Sequence, residues 1–365
     1  MVTVRPHLRD IERIDSADIR GDFVRLDRNE RVSPIDREEF AQVMAEIGPE
    51  ALSSYPDPKP LNQAFAASCN LPEDHVVATN GSDAAIRRAF HSFLSAGDRV
   101  IHSHPSYAMY AVYTRLFEGE PVAISYDTDL KVPVYGYLAA LEQGAKIVSI
   151  VNPDQPTGAT WKQEDLRRVI EKSAEVNALC LVDETYYPCH PETIIEWVRD
   201  YDNLVVTRSF SKAYGLGGLR IGFAAAKPHL IEALGKVRGL HEVNSMAIAV
   251  GQYYLTHPEL IEKYLEMLEE GRSVILDFAR QHNFGVPHCP TNFQLIDLGE
   301  RYDSKAIVSA LKANGYLVKG DYKASAISNC IRVTLDNPDM MSRFIETFSK
   351  VLDASGETAA ASKES

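Results

Sequence analysis

Short apolar runs alternate with helical patterns along the middle of the chain, and this alternation constrains the fold more than any other feature. The runs are rich in Val and Ile: DRVIH, EPVAIS, AKIVSIV, ALCLVD, NLVVTRSF and RIGFAAA. Near-continuous apolar runs predict strands that are buried on both faces of a parallel sheet, and segments such as QEDLRRVIEKSAE predict the helices that cover them. The pattern therefore indicates an α/β fold of strand–helix–strand units.

The pattern changes after the last of these runs. A long helical segment (HPELIEKYLEMLEEGRSVILDFARQH) is followed by two strand-like runs (FQLIDL and NCIRVTL) and a closing helical segment (DMMSRFIETFSKVLD). A chain of 365 residues exceeds the size at which one core stops growing, so a second, smaller α+β domain is expected. We predict an N-terminal segment packing with the small domain (1–34), a large domain (35–260), the small domain (261–353) and a small, polar, disordered tail (354–365).

Composition excludes several classes of function. The formal net charge of -13 opposes a nucleic-acid binder, because affinity for phosphate backbones needs clustered Lys and Arg. No stretch approaches the roughly 18 apolar residues that a membrane span needs. The 5 cysteines are scattered without a CxxC pair, and the opening residues MVTVRPHLRDIERID lack the apolar region of a secretion signal. We therefore expect a cytoplasmic protein that acts on small molecules, without nucleic-acid or membrane partners.

The segment RSFSKAYGLGGLRIG, which follows the strand NLVVT, carries the most chemical information. It places Lys212 at the carboxyl end of a predicted strand, where ligands bind in open α/β sheets. Ser209, Ser211 and Arg220 add hydroxyl donors and a guanidinium that suit a phosphate dianion. A dinucleotide-binding loop is a competing interpretation, but GLGGLR ends in arginine where G-x-G-x-x-G needs a third small residue.

Two further segments offer groups for an anion or a charged ring. Gly81, Ser82 and Asp83 precede the apolar pattern AIRRAFHSFL and predict a helix N-terminus, where backbone N–H groups bind phosphate. Asp183 closes the strand in LVDETYY. Asp183 and Glu184 also suggest metal ligation, but no histidine or further carboxylate lies at a spacing that completes a coordination shell, so no metal is predicted.

These motifs together resemble those of the fold type I enzymes that use pyridoxal 5'-phosphate (PLP), the class I and II aminotransferases, in the family's order and over most of the chain. The resemblance implies the PLP-dependent transferase fold type I. Its large domain has a mixed, mostly parallel seven-stranded sheet between helices, and a smaller α+β domain follows. It also implies that PLP is held as a Schiff base on Lys212.

The resemblance further assigns groups to the cofactor ring. Asp183 pairs with the pyridine nitrogen, and Tyr186 and Asn152 bond the phenolic oxygen. Tyr107 stacks on the ring. Asn152 opens the segment NPDQPTG, in which Asp154 and Gln155 depart from the usual NPNNPTG.

The resemblance also assigns the phosphate and substrate groups. The phosphate contacts are Gly81, Ser82, Asp83, Ser209, Ser211 and Arg220, joined by Tyr55 from the neighbouring subunit of a homodimer. Arg332 in CIRVT matches the arginine that grips the substrate carboxylate, and Asn29 and Lys319 complete the substrate side. Tyr55 implies an active site shared between two subunits.

Within this superfamily the chain resembles the histidinol-phosphate aminotransferases through LDRNE, YPDP, GSD and RSFSKAYGLGGLRIG. That resemblance implies amino transfer from an amino acid, glutamate by analogy, to a small carbonyl compound. NERVSP departs from the family's N-terminal run, and Lys319 stands where relatives carry an arginine that binds the substrate phosphate. Histidinol phosphate, another phosphorylated amine and an aromatic amino acid stay open as substrates.

Decarboxylation of a phosphorylated amino acid of the phosphothreonine or phosphoserine type is the alternative reaction, because such enzymes keep nearly the same cofactor residues. A binding or regulatory protein that only retains the fold is disfavoured, since every expected cofactor residue is present.

Overall fold

The computed structural model of the protein describes residues 2–9, 11 and 20–361. The helices are α1 (Arg37–Ala45), α2 (Glu50–Ser53), α3 (Lys59–Ser68), α4 (Ser82–Phe93), α5 (Met109–Leu116), α6 (Val134–Glu142), α7 (Gln163–Glu175), α8 (Pro228–Lys236), α9 (Ser245–Thr256), α10 (Pro258–Gln281), α11 (Ser304–Ala313) and α12 (Pro338–Ala361). The strands are β1 (Val24–Leu26), β2 (Val76–Thr79), β3 (Arg99–His104), β4 (Glu120–Ser125), β5 (Ile147–Val151), β6 (Leu179–Asp183), β7 (Leu204–Ser209), β8 (Gly222–Ala226), β9 (Phe293–Asp297), β10 (Tyr316–Val318) and β11 (Cys330–Thr334).

A seven-stranded sheet forms the centre of the large domain, in the order β2-β8-β7-β6-β5-β3-β4. Strand β8 runs antiparallel to both of its neighbours, and the remaining neighbours pair in parallel. The prediction of a mixed, mostly parallel sheet is confirmed, and the six apolar runs form β3 to β8. The sequence pattern did not predict β2, which is short.

Alternation along the strands gives the sheet two apolar faces. In β6, Cys180 and Val182 face one core together with α3, α6, α7 and α9. Leu179 and Leu181 face the other core together with α4, α5 and α8. Because both faces are covered, the central strands β5, β6 and β8 are apolar at most positions, as the sequence pattern indicated.

A separate core, away from the two faces of the sheet, is formed by the C-terminal part of the chain and by β1. Strands β9 and β11 pair antiparallel, and β1 pairs in parallel with β10. Leu26 of β1 packs in this core with residues of α10 and α12. Strand β1 therefore pairs and packs with elements from the C-terminal part of the chain. The predicted domains and their boundaries stay a prediction, and residues 1, 10 and 12–19 of the N-terminal segment lie outside the described residues.

Two features of the helices bear on the sequence-based expectations. Helix α12 continues to Ala361, so the chain is helical beyond the predicted start of the disordered tail at Ala354. Alanines near its end favour this extension, since alanine has the highest helix propensity. Within residues 2–9, 11 and 20–361, no helix is both long and apolar enough to cross a membrane.

Candidate active site

A cavity opens where the carboxyl ends of β5, β6 and β7 meet the start of α4. Because these strands are parallel, their last residues lie at the same edge of the sheet. The residues that line the cavity are Ser82, Asp83, Tyr107, Val151, Gln155, Asp183, Thr185, Tyr186, Ser209, Ser211, Lys212 and Arg220. Nine of the predicted site residues are thus brought together from segments distant in sequence.

Two glycines allow α4 to begin beside Arg220. Gly81, the N-cap residue of α4, has a φ of +77°, and a Cβ atom there would lie 2.6 Å from Nη2 of Arg220. A Cβ atom at Gly222 would overlap the backbone nitrogen of Ser82. Arg220 donates from Nη1 to Ser211 Oγ at 3.3 Å. Backbone N–H groups, hydroxyls and a guanidinium therefore converge at one end of the cavity, and this set fits the phosphate of PLP.

Asp183 lies at the end of β6 with 2% of its surface exposed. Its carboxylate accepts hydrogen bonds from Thr207 Oγ1 at 2.9 Å and from the Tyr110 hydroxyl at 3.0 Å. Burial raises the pKa of Asp183 to about 6, against the lowering effect of the two hydroxyl donors. The group is ionised at neutral pH and fits the protonated pyridine nitrogen of PLP.

Lys212 lies in the loop after β7 and donates from Nζ to the carbonyl of Arg28 at 2.9 Å. Burial first, and then the positive charge of Arg332, lowers the pKa of Lys212 to about 8. The uncharged fraction of this amine near neutral pH is therefore much larger than for a lysine in water, and a lysine acts as a nucleophile or base in its uncharged form.

A hydrogen-bonded cluster joins the large domain to the N-terminal segment and the small domain. The Gln155 Oε1 atom accepts from the Tyr186 hydroxyl at 2.8 Å and from Asn29 Nδ2 at 3.2 Å. Asn29 Nδ2 also donates to Tyr186 at 2.9 Å. Arg332 reaches Gln155 at 3.5 Å and donates to the carbonyl of Asp27 at 2.6 Å. Asn29 and Arg332 therefore adjoin the cavity through Gln155.

The structure corrects the placement of one predicted cofactor residue. Gln155 lines the cavity, whereas Asn152 is not among the lining residues. The Asn152 backbone N–H donates to the carbonyl of Asp183, and its Oδ1 accepts from the backbone N–H of Trp161. Asn152 thus holds the two ends of its loop together, and the residue that departs from the family pattern faces the site.

The side chain of Asp83 has a different task from the one predicted for a phosphate ligand. Its two carboxylate oxygens accept from the hydroxyls of Tyr107 at 3.0 Å and Tyr113 at 2.7 Å. Burial and the Asp83 charge raise the pKa of Tyr107, so this hydroxyl stays a donor. Asp83 can offer phosphate only its backbone N–H, and its carboxylate fixes the Tyr107 ring at the cavity wall.

Two predicted residues lie away from the cavity of this single chain. Tyr55 is 85% exposed and stacks on His241 with ring centroids 4.6 Å apart. Lys319 is exposed and pairs with Arg332 through its backbone. Neither side chain contributes to the lining of the cavity.

Asp183 and Glu184, the two carboxylates considered as metal ligands, are both hydrogen-bonded to other side chains. Glu184 accepts from Arg208 at Nε (3.0 Å) and Nη2 (2.9 Å), and from Thr193 Oγ1. This buried ion pair connects the ends of β6 and β7 behind the cavity. Among the residues that the structure describes, no three His, Cys, Asp or Glu side chains form a group that could hold a metal ion.

Sequence comparison finds one family that spans most of the chain. The profile of the aminotransferase class I and II family matches residues 28–348. The histidinol-phosphate aminotransferase of Symbiobacterium thermophilum is 30% identical, over 91% of this chain and 91% of the relative. That of Thermoanaerobacter sp. (strain X514) is 28% identical, over 86% of this chain and 88% of the relative.

Solved structures share the fold. The histidinol-phosphate aminotransferase of Sinorhizobium meliloti, in complex with pyridoxal-5'-phosphate, superposes with a TM-score of 0.87 at 23% identity, covering 97% of this chain and 98% of that one. A mutant aspartate aminotransferase of Thermus thermophilus has a TM-score of 0.81 at 18% identity, covering 96% of this chain and 100% of that one.

Proposed function

The chain belongs to the class I and II aminotransferase family and is a PLP-dependent aminotransferase, and on that premise we propose its substrates and the roles of its site residues. The amino donor is an amino acid, glutamate by analogy. The acceptor is a small phosphorylated carbonyl compound related to histidinol phosphate, the substrate class named for the relatives. The observation that carries this proposal is Arg332, which is 8% exposed and reaches Gln155, a residue that lines the same cavity as Lys212 and Asp183.

The large domain binds the cofactor. When bound, PLP withdraws electrons from the substrate α-carbon and carries the amino group from donor to acceptor. The start of α4, with Gly81 and Ser82, holds the phosphate together with Ser209, Ser211 and Arg220. Asp183 faces the pyridine nitrogen, where a carboxylate keeps the ring protonated.

The substrate is oriented from the opposite side. A guanidinium binds a carboxylate or phosphate through two parallel hydrogen bonds, and the Nε of Arg332 is buried without a hydrogen-bond partner. Anion binding at Arg332 directs the α-carbon towards Lys212, whose uncharged amine takes the α-proton. Asn29, Gln155 and Tyr186 form the hydrogen-bonded cluster that contacts Arg332 through Gln155.

A screen of half-reactions tests the substrate. The PLP-loaded chain is mixed separately with glutamate, histidinol phosphate, phenylalanine and phosphothreonine, and the cofactor absorption and released carbon dioxide are followed. We expect conversion to the aminated cofactor by glutamate and histidinol phosphate, and none in a Lys212→Ala control. Conversion by phenylalanine alone, or release of carbon dioxide from phosphothreonine, overturns the substrate proposal. Failure of the wild-type chain to acquire a PLP spectrum overturns all of it.

We also propose a homodimer in which Tyr55 reaches the cofactor phosphate of the neighbouring subunit. The exposure of Tyr55 supports this, as do the nearby exposed apolar side chains of Leu52 and Leu240. Light scattering should give a dimer mass, and Tyr55→Phe should weaken PLP binding while Tyr135→Phe, at a 77% exposed tyrosine, should not. A monomer mass, together with a PLP affinity that Tyr55→Phe leaves unchanged, contradicts the proposal.

A cytoplasmic location is proposed on the state of the cysteines. All five (Cys69, Cys180, Cys189, Cys289 and Cys330) are free thiols, as expected for a reducing compartment.

A further inference from the structure

Three tyrosines spaced three residues apart connect α5 and the residues before it to the two acidic groups of the cavity. Tyr107 and Tyr113 donate to the two oxygens of Asp83. Tyr110, which lies between them in sequence, donates to Asp183 at 3.0 Å. Tyr110, which lies between the two tyrosines that donate to Asp83, thus donates to the other carboxylate, that of Asp183.

Tyr110 cannot reach a cofactor in the cavity directly. Its side chain is fully buried, and it is not among the residues that line the cavity. Its ring packs edge-on against Tyr107 with centroids 5.8 Å apart, and lies 6.4 Å from the ring of Phe90. Any influence of Tyr110 on the reaction therefore passes through the groups that it contacts.

The two oxygens of Asp183 each accept a hydrogen bond from an uncharged hydroxyl, Tyr110 on one and Thr207 on the other. Burying a carboxylate without donors is costly, so these bonds stabilise its ionised form. An arginine or lysine in place of Tyr110 would also neutralise the charge. Neutral donors leave the negative charge of Asp183 available to a cation in the cavity.

We propose that Tyr110 is a positioning residue for amino transfer, holding Asp183 ionised and aimed at the pyridine nitrogen of the cofactor. This inference rests on the proposed function of Asp183. Thr207 alone is insufficient, because it bonds only one of the two oxygens. Without Tyr110 the second oxygen has no hydroxyl donor, and the remaining donors to Asp183 are the Thr207 hydroxyl on the first oxygen and the backbone N–H of Thr185.

The charges around Asp183 fix the direction of the expected pH effect. Burial raises its pKa, Asp83 on α4 adds to the rise, and Thr207 and Tyr110 lower it. The positive charge of Lys212, which lines the same cavity, interacts with Asp183, and Tyr107 and Tyr186 stay neutral because burial raises the pKa of both. Loss of the Tyr110 hydroxyl should therefore raise the pKa of Asp183. Because catalysis needs the ionised carboxylate, the acidic limb of the pH profile should move to higher pH.

The test compares Tyr110→Phe with Tyr137→Phe in the full-length protein. Tyr137 is equally buried, and its hydroxyl bonds Ser103 at 2.8 Å and Ser149 at 3.1 Å, away from Asp183. We expect Tyr110→Phe to weaken PLP binding to the cofactor-depleted protein by about tenfold, as loss of a hydrogen bond to a charged group predicts. The acidic limb of the kcat profile should move up by about one pH unit. Tyr137→Phe should change neither quantity.

A double-variant cycle with Asp183→Asn separates positioning from a general structural role. In the Asp183→Asn background, Tyr110→Phe should cost less than twofold in PLP affinity, because the charge that it serves is gone. An equal loss in both backgrounds overturns the inference, and so does an unshifted acidic limb. Failure of the proposed function itself is recognised separately, since the wild-type protein would then neither bind PLP nor transfer amino groups.

Discussion

The two walls of the cavity are built in different ways. The large-domain wall comes from adjacent strand ends and α4, and its groups are braced within that domain by buried bonds such as Thr207 to Asp183 and Arg208 to Glu184. The opposite wall joins the N-terminal segment to the small domain across the whole chain, as in the bond from Asn29 N to Thr334 Oγ1 at 3.0 Å. The first wall is formed by the sheet itself, whereas the second exists only when the N-terminal segment is docked.

From this difference we infer that one wall binds the cofactor and the other binds the substrates. Groups fixed by the sheet suit a cofactor that stays bound, and groups held by a few long-range hydrogen bonds suit substrates that enter and leave. Variants of the large-domain wall should change PLP affinity, and variants of the opposite wall should change KM. The following predictions test that separation.

The largest effect is expected for Lys212→Ala, because Lys212 belongs to the first wall and its amine contacts the second at Arg28. Loss of the nucleophile and base should reduce kcat by at least about a thousandfold. Turnover with glutamate is the measurement. The control is Lys236→Ala, at an exposed helical lysine paired with Glu232, which should keep full activity. Turnover of the Lys212 variant within tenfold of wild type contradicts the assignment.

Arg332→Lys tests the second wall alone. Lysine keeps the charge but loses the fork that binds an anion through two bonds, so KM should rise by about tenfold or more while the PLP dissociation constant stays unchanged. Steady-state kinetics and a PLP titration measure the two quantities. Arg343→Lys, at an exposed arginine of α12, is the matched control. A PLP affinity that falls as much as KM rises would break the separation of the walls.

Gly222→Ala tests the first wall alone. The added Cβ overlaps Ser82 N and displaces the start of α4, so PLP affinity should fall by about tenfold and unfolding should cost about 1–3 kcal/mol less. KM at saturating PLP should stay near the wild-type value. Gly218→Ala is the control, since nothing lies within 4 Å of a Cβ there. PLP titration gives the affinity and denaturant unfolding gives the free energy of unfolding. If both quantities are equal in the two variants, the close packing at Gly222 is contradicted.

The stability of the cofactor-depleted protein should also depend on pH. The folded-state pKa of Lys212 is lowered from 10.5 to about 8, so between these values the unfolded chain binds the proton and the folded chain does not. The free energy of unfolding of wild type should therefore rise, relative to Lys212→Met, as the pH increases from about 8 to 10.5. Denaturant unfolding of both chains at pH 7 and pH 10 measures the change. If the difference in the free energy of unfolding between the two chains is the same at pH 7 and pH 10, the pKa of Lys212 is not lowered in the folded chain, and the amine is exposed to water.

Sequence reasoning predicted the strand ends of the large-domain wall better than the loop between β5 and α7. The strands that end at Asp183 and Ser209 are local apolar runs, and their parallel order brings those ends together. It misplaced Asn152, because whether a loop residue faces the cavity or its own loop depends on packing against Trp161. Gln155 was noticed only as a departure from the family pattern, although its side chain contacts Tyr186, Asn29 and Arg332.

The sequence by itself determined the α/β class and the order of the apolar runs, because these follow from local periodicity. It indicated PLP binding because its short motifs resemble those of a known family. Only the tertiary structure decided that Tyr110 serves Asp183 and that Arg28 contacts Lys212. Each of these bonds joins residues far apart in the chain. Such contacts depend on how helices and segments pack around the sheet, and no local pattern encodes that geometry.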